Sequence, residues 1–345
     1  MSMLLDEASA LTHAGSLLSS NDEIVASYDL EVSNSPAVGY RGLGLSNGIC
    51  NAAIAAFNPD FASRSRVHVI NGMGVTLGDS IIGLSALYAI SAQFPQLRFT
   101  IYRPRHAPHY VRRLYELAAP LFGDIVDLPI KLDALPQHEL RVDIGNHLFW
   151  PEFTTRAMID FFIDAMGMRA QEISSSYKRN LWMQQLTVPE PRLEQGEYVL
   201  LCPLASTPVR SIPASVHSTI VDALWQRFRL PVAGVGAIDH PQYVDISARS
   251  VDIADFIGFI KHARHLVAPD TAAIHIAAGF NIPTTAFFTT IAPQVRVRDY
   301  PYCKAVRLDV PALDGMHASS RQSDVQAIED AYYALKIDAN IFDFA

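Results

Sequence analysis

The stretch VHVINGMGVTLGDSIIGLSALYAISAQFPQLRFTIYRP, residues 67–104, reads as one βαβ unit. An apolar strand at 67–71 enters a glycine-rich turn, an apolar helix follows over 79–93, and a second strand is expected at 98–102. Gly72, Gly74 and Gly78 let the backbone turn sharply and approach a ligand. Asp79 falls where the loop becomes a helix, at the carboxyl end of the strand, and open α/β sheets bind their ligands at that end.

The same loop admits other readings. Gly72, Gly74 and Gly78 form G-x-G-x-x-x-G rather than the dinucleotide fingerprint G-x-G-x-x-G, and the second strand ends in Tyr102 and Arg103 instead of an acidic ribose ligand. Arg103 suits the 2′-phosphate of NADP, which keeps an NADP-dependent oxidoreductase open. Asp79 also suits the plain role of helix N-cap.

From residue 66 onward strand and helix alternate, with further elements expected at 108–119, 125–128, 140–144 and 154–166. This rhythm implies a parallel sheet. Residues 185–196, QLTVPEPRLEQG, hold two prolines and little apolar content, and form the best linker candidate. Alternation then resumes: strands at 198–202, 231–234, 265–268 and 284–288, and helices at 214–228, 253–262 and 271–280. The expected organisation is an extension over 1–65, a Rossmann-like domain over 66–190, a second over 197–322 and a terminal segment, 323–345, whose helix could cross back to the first domain. Within the extension, a helix is expected over 4–18, ahead of a glycine-rich run at 38–48.

Composition narrows the function classes. The chain has 345 residues, more than one core usually supports, and 50% of them are hydrophobic. A net charge of −8 provides no general attraction to nucleic acid. Cys50, Cys202 and Cys303 are far apart and lack metal-site spacing, so neither a disulfide framework nor a zinc cluster is expected and a reducing cytoplasm fits. Asp6 and Glu7 stand where a secretory signal needs positive charge, and no apolar run is long enough to span a bilayer. Membrane contact, if made, would be peripheral.

Two stretches of the second half carry anion-binding chemistry. In LLCPLASTPVRSIP, residues 200–213, a buried strand opens into Ser206, Thr207 and Arg210, and hydroxyls with a guanidinium suit a diphosphate. In HLVAPDTAAIHIAAGFNIPTTAFF, residues 265–288, Asp270 or Thr271 begins a helix whose first amides can face a phosphate. Ala272 and Ala273 permit close approach there, and His275 lies one turn further on. The turn at Gly234 and Gly236 can bring backbone against a nucleotide base. In the first half, Arg103, Arg105, His106, His109, Arg112 and Arg113 form a basic run suited to an anionic ligand or to a solvated helix face. Asp143, Asn146 and His147 follow another strand of that half and either bind ligand hydroxyls or cap the next helix.

Taken in order, LGDSIIGLSALYAISAQFPQ (77–96), ELRVDIGN (139–146), PLASTPVRSIP (203–213) and PDTAAIHIAAGFNIPTTAFF (269–288) resemble the bacterial heptosyltransferases, glycosyltransferase family 9, over about residues 66–320. The resemblance implies the GT-B fold, an α/β architecture of two Rossmann-like domains facing across a cleft, here with an N-terminal extension. It implies an inverting, metal-independent transferase without a cofactor that moves a sugar from a nucleotide-sugar co-substrate, ADP-heptose, to a lipopolysaccharide-core or similar anionic glycan. Such an enzyme acts in the cytoplasm, at the inner face of the inner membrane. Asp79 matches the family's general base, and Arg210 matches a basic residue that the family more often has as lysine. Asp270, Thr271, Ala272, Ala273 and His275 match the donor-site pattern DTGxxH, with alanine for its glycine, and Ile212 replaces a usual tryptophan. Donor contacts are thus expected from Ser206, Thr207, Arg210, Gly234, Gly236 and residues 270–275, and acceptor contacts from Gly78, Arg103, Arg105, Asn146 and His147. The replacements at 212 and 272 also suit a non-catalytic module that binds a nucleotide sugar or glycan.

Overall fold

The computed structural model describes residues 4–46 and 48–344. Residues 1–3, 47 and 345, which fall in the expected extension, its glycine-rich run and the terminal segment, lie outside the described residues. The chain divides into two compact units, residues 1–178 and 179–345.

The first unit is built on a five-stranded parallel sheet. Its strands are β4 (Ile49–Cys50), β5 (Arg66–Ile70), β6 (Arg98–Arg103), β7 (Gly123–Asp127) and β9 (Leu140–Asp143), in the order β4-β9-β5-β6-β7. A smaller antiparallel sheet joins β1 (Leu17–Leu18), β2 (Glu23–Val25), β3 (Arg41–Gly42) and β8 (Ile130–Lys131) in the order β3-β1-β2-β8. Helices α1 (Glu7–Leu11), α2 (Ser27–Val32), α3 (Leu77–Gln93), α4 (His109–Phe122) and α5 (Met158–Ala165) complete the unit.

The helix expected over 4–18 is therefore only α1. It stops at Thr12, and Gly15, at φ +147°, turns the chain into β1. The extension is no separate appendage either, because it supplies β4 to the main sheet and three strands to the small one. Helix α3 is apolar on nearly every side, from Ile81 and Ile82 to Ala89 and Ile90, and a helix of that kind belongs in a core.

The second unit carries six parallel strands: β10 (Val199–Leu201), β11 (Val232–Gly234), β12 (Tyr243–Asp245), β13 (Leu266–Pro269), β14 (Thr284–Phe288) and β15 (Cys303–Arg307). Their order, β12-β11-β10-β13-β14-β15, is that of a doubly wound sheet. The central strands are buried along their whole length, as two-sided cover by helices requires. These helices are α6 (His217–Phe228), α7 (Ile253–Lys261), α8 (Ala272–Phe280), α9 (Pro293–Arg296) and α10 (Gln322–Ala334). Asp252 and Asp255 close a capping box at the start of α7.

Two boundaries differ from expectation. Residues 179–186, expected in the first domain, pack within the second unit, where Asn180 donates to His275 O and Gln184 to Gly279 O. The terminal helix α10 buries Ile328 and Tyr332 in the same core as Val199, Leu224 and Val267, which is the second unit's own. An apolar face already covered there has no reason to cross elsewhere.

Candidate active site

In each unit there is one place where consecutive crossovers leave the sheet in opposite directions. Such a switch point opens a crevice at the carboxyl ends of the two strands beside it. In the first unit it lies between β5 and β9, and in the second between β10 and β13.

At the first switch point the loop after β5 is wound in a sparsely populated conformation: Asn71, Met73 and Gly74 have φ of 51°, 67° and 75°. Two contacts hold it. Met73 is fully buried against Gly83 of α3, where a side chain would leave no room, and Arg103 donates to Gly72 O and Gly74 O, each at 2.6 Å. The Arg103 guanidinium also lies 3.8 Å over the Tyr115 ring. Arg103 is thus a buried brace for the loop, and burial is the main influence lowering its pKa. This corrects both expectations for Arg103, as an acceptor contact and as a 2′-phosphate ligand, because the group is buried and its Nη1 is engaged by two loop carbonyls.

The brace sets up α3. Thr76 is the N-cap and accepts from the Asp79 amide at 3.3 Å, so Asp79 is not the cap but stands in the first turn. Its carboxylate lies at the switch point, 8% exposed, with Oδ2 3.4 Å from Nε2 of His147, which follows β9. His147 is 3% exposed and ringed by Phe153, Phe161 and Phe162, at centroid distances of 4.7, 6.1 and 5.1 Å. Gly78 is half-buried beside Asp79 in the same turn.

The remaining expected acceptor residues are engaged otherwise. Asn146 donates to Leu11 O and His13 O, both at 2.9 Å, so its amide holds the N-terminal segment. Asp143, fully buried, accepts from the Ser16 amide and hydroxyl, from the Gly145 amide and from Asn51. Burial raises its pKa and these donors oppose the rise. Segment 11–16 is thereby fastened over the carboxyl end of β9. Asp29 of α2 likewise accepts from the Arg105 and His106 amides. Of the basic run, His106 pairs with Asp29, Arg112 with Asp127 and Arg113 with Glu116, which leaves the exposed side chains of Arg105 and His109 as its outward face.

At the second switch point Arg210 follows β10 and Asp270 follows β13. Arg210 Nη1 is 3.0 Å from Asp270 Oδ2, and its Nη2 donates to Ser206 Oγ at 2.6 Å. Asp270, 3% exposed, also has Arg296 of α9 with Nε 3.7 Å from Oδ1. Two guanidinium groups around one carboxylate leave a net positive charge. Arg296 Nη1 and the hydroxyl of Thr290, both buried, have no hydrogen-bond partner among the described residues.

Beside them helix α8 starts at Thr271 with no side-chain cap, and Ala272 and Ala273 present only methyl groups around its first amides. An open recess of about 380 Å³ adjoins Ser206 and is walled by Leu204, Ile212, Pro213 and Val325.

Four expected donor contacts are corrected. The Thr207 hydroxyl exchanges hydrogen bonds with the backbone of Ser319. His275 is buried and bonded through Nδ1 to the Tyr300 hydroxyl at 2.9 Å, with Asn180 donating to both residues, so it ties α8 to the core. The Gly236 amide faces Ser247 Oγ and Asp245 Oδ1, and its carbonyl accepts from Tyr243. Gly234 packs against Leu201 O and the Tyr243 ring. Thr290 stands, as the sequence suggests for Thr289, Thr290, Pro293 and Tyr300, at the mouth of this site, whereas Arg296 is the partner least visible in the sequence. The signal for Arg296 is the strand-end rule applied to β14, whose carboxyl end leads into α9.

Among the described residues no group of three His, Cys, Asp or Glu side chains is placed to hold a metal ion, and no helix is long and apolar enough to cross a membrane.

No protein-family model matches the chain, and no curated protein sequence matches it. Among solved structures it is similar to the E. coli ADP-heptose lipopolysaccharide heptosyltransferase II, at 13% identity and a TM-score of 0.51 over 78% of this chain and 98% of that one. It is also similar to TibC, an iron-containing dodecameric glycosyltransferase from enterotoxigenic E. coli, at 12% identity and a TM-score of 0.52 over 81% and 75% of the respective chains. At these identities the likeness is one of fold: two Rossmann-like units with an N-terminal antiparallel sheet, a GT-B-like architecture.

Proposed function

We propose that the protein is a metal-independent, inverting glycosyltransferase that moves a sugar from a nucleoside diphosphate to a glycan hydroxyl. One observation carries this reading: each switch point holds the group that one half of the reaction needs. The first has a carboxylate, Asp79; the second has a cationic cluster around an uncapped helix start, formed by Arg210, Arg296 and Thr271.

The acceptor oxygen attacks the anomeric carbon on the face opposite the diphosphate. As that bond forms, the bond from the anomeric carbon to the diphosphate oxygen breaks, and Asp79 takes the hydroxyl proton. Negative charge then grows on the departing diphosphate. Arg210, Ser206, Arg296, Thr290 and the first amides of α8 are the donors that stabilise it. Arg105 and His109, the outward residues of the basic run, favour an anionic glycan as acceptor. The structural likeness to a heptosyltransferase makes ADP-heptose the first donor to try.

The test is donor binding followed by transfer. Isothermal titration with ADP, UDP and GDP should identify one tight nucleoside diphosphate, and Arg210→Ala should weaken it about 10- to 100-fold, the loss of one or two charge-assisted hydrogen bonds. Transfer of the matching sugar to a glycan acceptor, followed by mass spectrometry, then separates an enzyme from a module that binds without turnover. Absence of binding by any of the three nucleotides would defeat the proposal.

A further inference from the structure

The reading of Asp79 as general base leaves open what fixes its carboxylate, since it projects from the first turn of a helix at the mouth of a strained loop. We propose that His147 is the positioning residue for Asp79, an inference that rests on that reading. Nε2 of His147 faces Asp79 Oδ2 at 3.4 Å and, although buried, has no other hydrogen-bond partner among the described residues. Three phenylalanine rings fix the plane of the imidazole, so the nitrogen has no second direction in which to turn. The loop closes over the pair. A Cβ at Gly74 would stand 2.7 Å from His147 Cε1 and 3.0 Å from Asp79 Cβ, so the only residue that fits there is one without a side chain.

This corrects the role expected for His147, which was contact with acceptor hydroxyls. A side chain 3% exposed, walled by phenylalanines and the Gly74 loop, acts through its neighbour. Donation from Nε2–H to Oδ2 holds the carboxylate in one rotamer. When the acceptor hydroxyl gives up its proton to Asp79, no reorganisation of the base is then required. The 3.4 Å separation is loose for a hydrogen bond, and contacts of this kind shorten when substrate fills the site.

Two substitutions separate this role from packing. His147→Phe keeps an aromatic ring inside the phenylalanine cage and removes the donor. His147→Gln returns an amide nitrogen near the position of Nε2. With the wild-type transfer reaction in hand, His147→Phe should lower kcat roughly 10- to 100-fold, part of what a general base contributes, at nearly unchanged KM. His147→Gln should recover most of that loss, and both variants should melt close to the wild type.

Wild-type kcat in His147→Phe, or equal loss in both variants, would overturn the assignment. A readout independent of turnover covers the case in which no transfer is found, an outcome that bears on the function alone. The ¹⁵N resonance of His147 Nε2 should move in Asp79→Asn relative to the wild type, and an unmoved resonance would refute the coupling.

Discussion

Replacing Gly74 by alanine tests the packing of the first switch point with a single carbon atom. Two costs add. At φ +75° an L side chain meets the left-handed penalty, about 1–2 kcal/mol. The new Cβ would also sit 2.7 Å from His147 Cε1 and 3.0 Å from Asp79 Cβ, well inside contact distance. Neither neighbour can move freely, one being caged by three phenylalanines and the other fixed on the first turn of α3. Overpacking of that kind costs about 1–3 kcal/mol. The sum is about 2–5 kcal/mol.

Gly315 provides the control, because its φ of +77° is nearly the same and none of the described residues lies within 4 Å of its would-be Cβ. Gly315→Ala should therefore cost only the backbone part, about 1–2 kcal/mol. Urea unfolding of the two variants beside the wild type measures the difference, expected at about 1–3 kcal/mol. Kinetics give a second measure. A shift of up to an ångström at Asp79 or His147 should slow transfer by as much as about 100-fold in Gly74→Ala, with Gly315→Ala unaffected. Equal stability and equal activity in the two variants would refute the tight packing of loop, base and imidazole.

Other outcomes follow from buried polar groups. Arg103→Met should destabilise the first unit by about 3–5 kcal/mol, since a buried and a part-buried carbonyl lose their shared charged donor and the stacking on Tyr115 goes with it; urea unfolding reads this, and a cost below about 1 kcal/mol would contradict the brace. Both bonds come from Nη1, so Arg103→Lys keeps a charged donor but loses the planar stack on Tyr115, and should recover only part. In the second unit, burial among Phe228, Phe342 and Phe344 pushes the pKa of His265 down to about 3. The folded state thus holds His265 neutral while the unfolded chain protonates near pH 6.5. Its contribution is complete above pH 6.5 and lost as pH falls toward 3, so by pH 5 the cost is about 2 kcal/mol. Hydrogen exchange of β13 at pH 7 and pH 5 should show this loss in the wild type, and His265→Gln, which can keep a bond to Thr285 Oγ1, should flatten it.

Much of the scaffold is legible because parallel strands and their helices leave strong apolar periodicity. The strand that becomes β5, the long apolar helix α3, and the strands β10, β13 and β14 all stand out in this way; Asp79 stands in the first turn of α3, and Arg210 and Asp270 follow β10 and β13. The small sheet does not stand out. Its two- and three-residue strands are too short for any period, and are held by contacts such as Ser16 to Asp143, 127 residues apart. The edge strand β15, CKAVR, hides for another reason, since two of its five residues are charged and none is buried.

Side-chain roles were the least legible. An arginine at a strand end looks the same in sequence whether it faces solvent, as Arg105 does, or folds inward onto carbonyls, as Arg103 does. The difference lies in Tyr115, nearly two turns along a later helix, and in a loop whose left-handed residues turn their carbonyls inward. His147 and His275 show the same ambiguity. Each is a lone histidine after a strand, and the partners that decide between them, Asp79 and Tyr300, come from elsewhere in the chain.

The account is tested most directly by sugar transfer with Asp79 intact and altered. Wild-type protein given the nucleotide sugar that it binds should form a glycosylated acceptor and release the nucleoside diphosphate. Asp79→Asn, nearly isosteric and unable to accept the proton, should bind that donor equally well and lose at least about 100-fold in kcat. Transfer by Asp79→Asn at the wild-type rate would contradict the central claim.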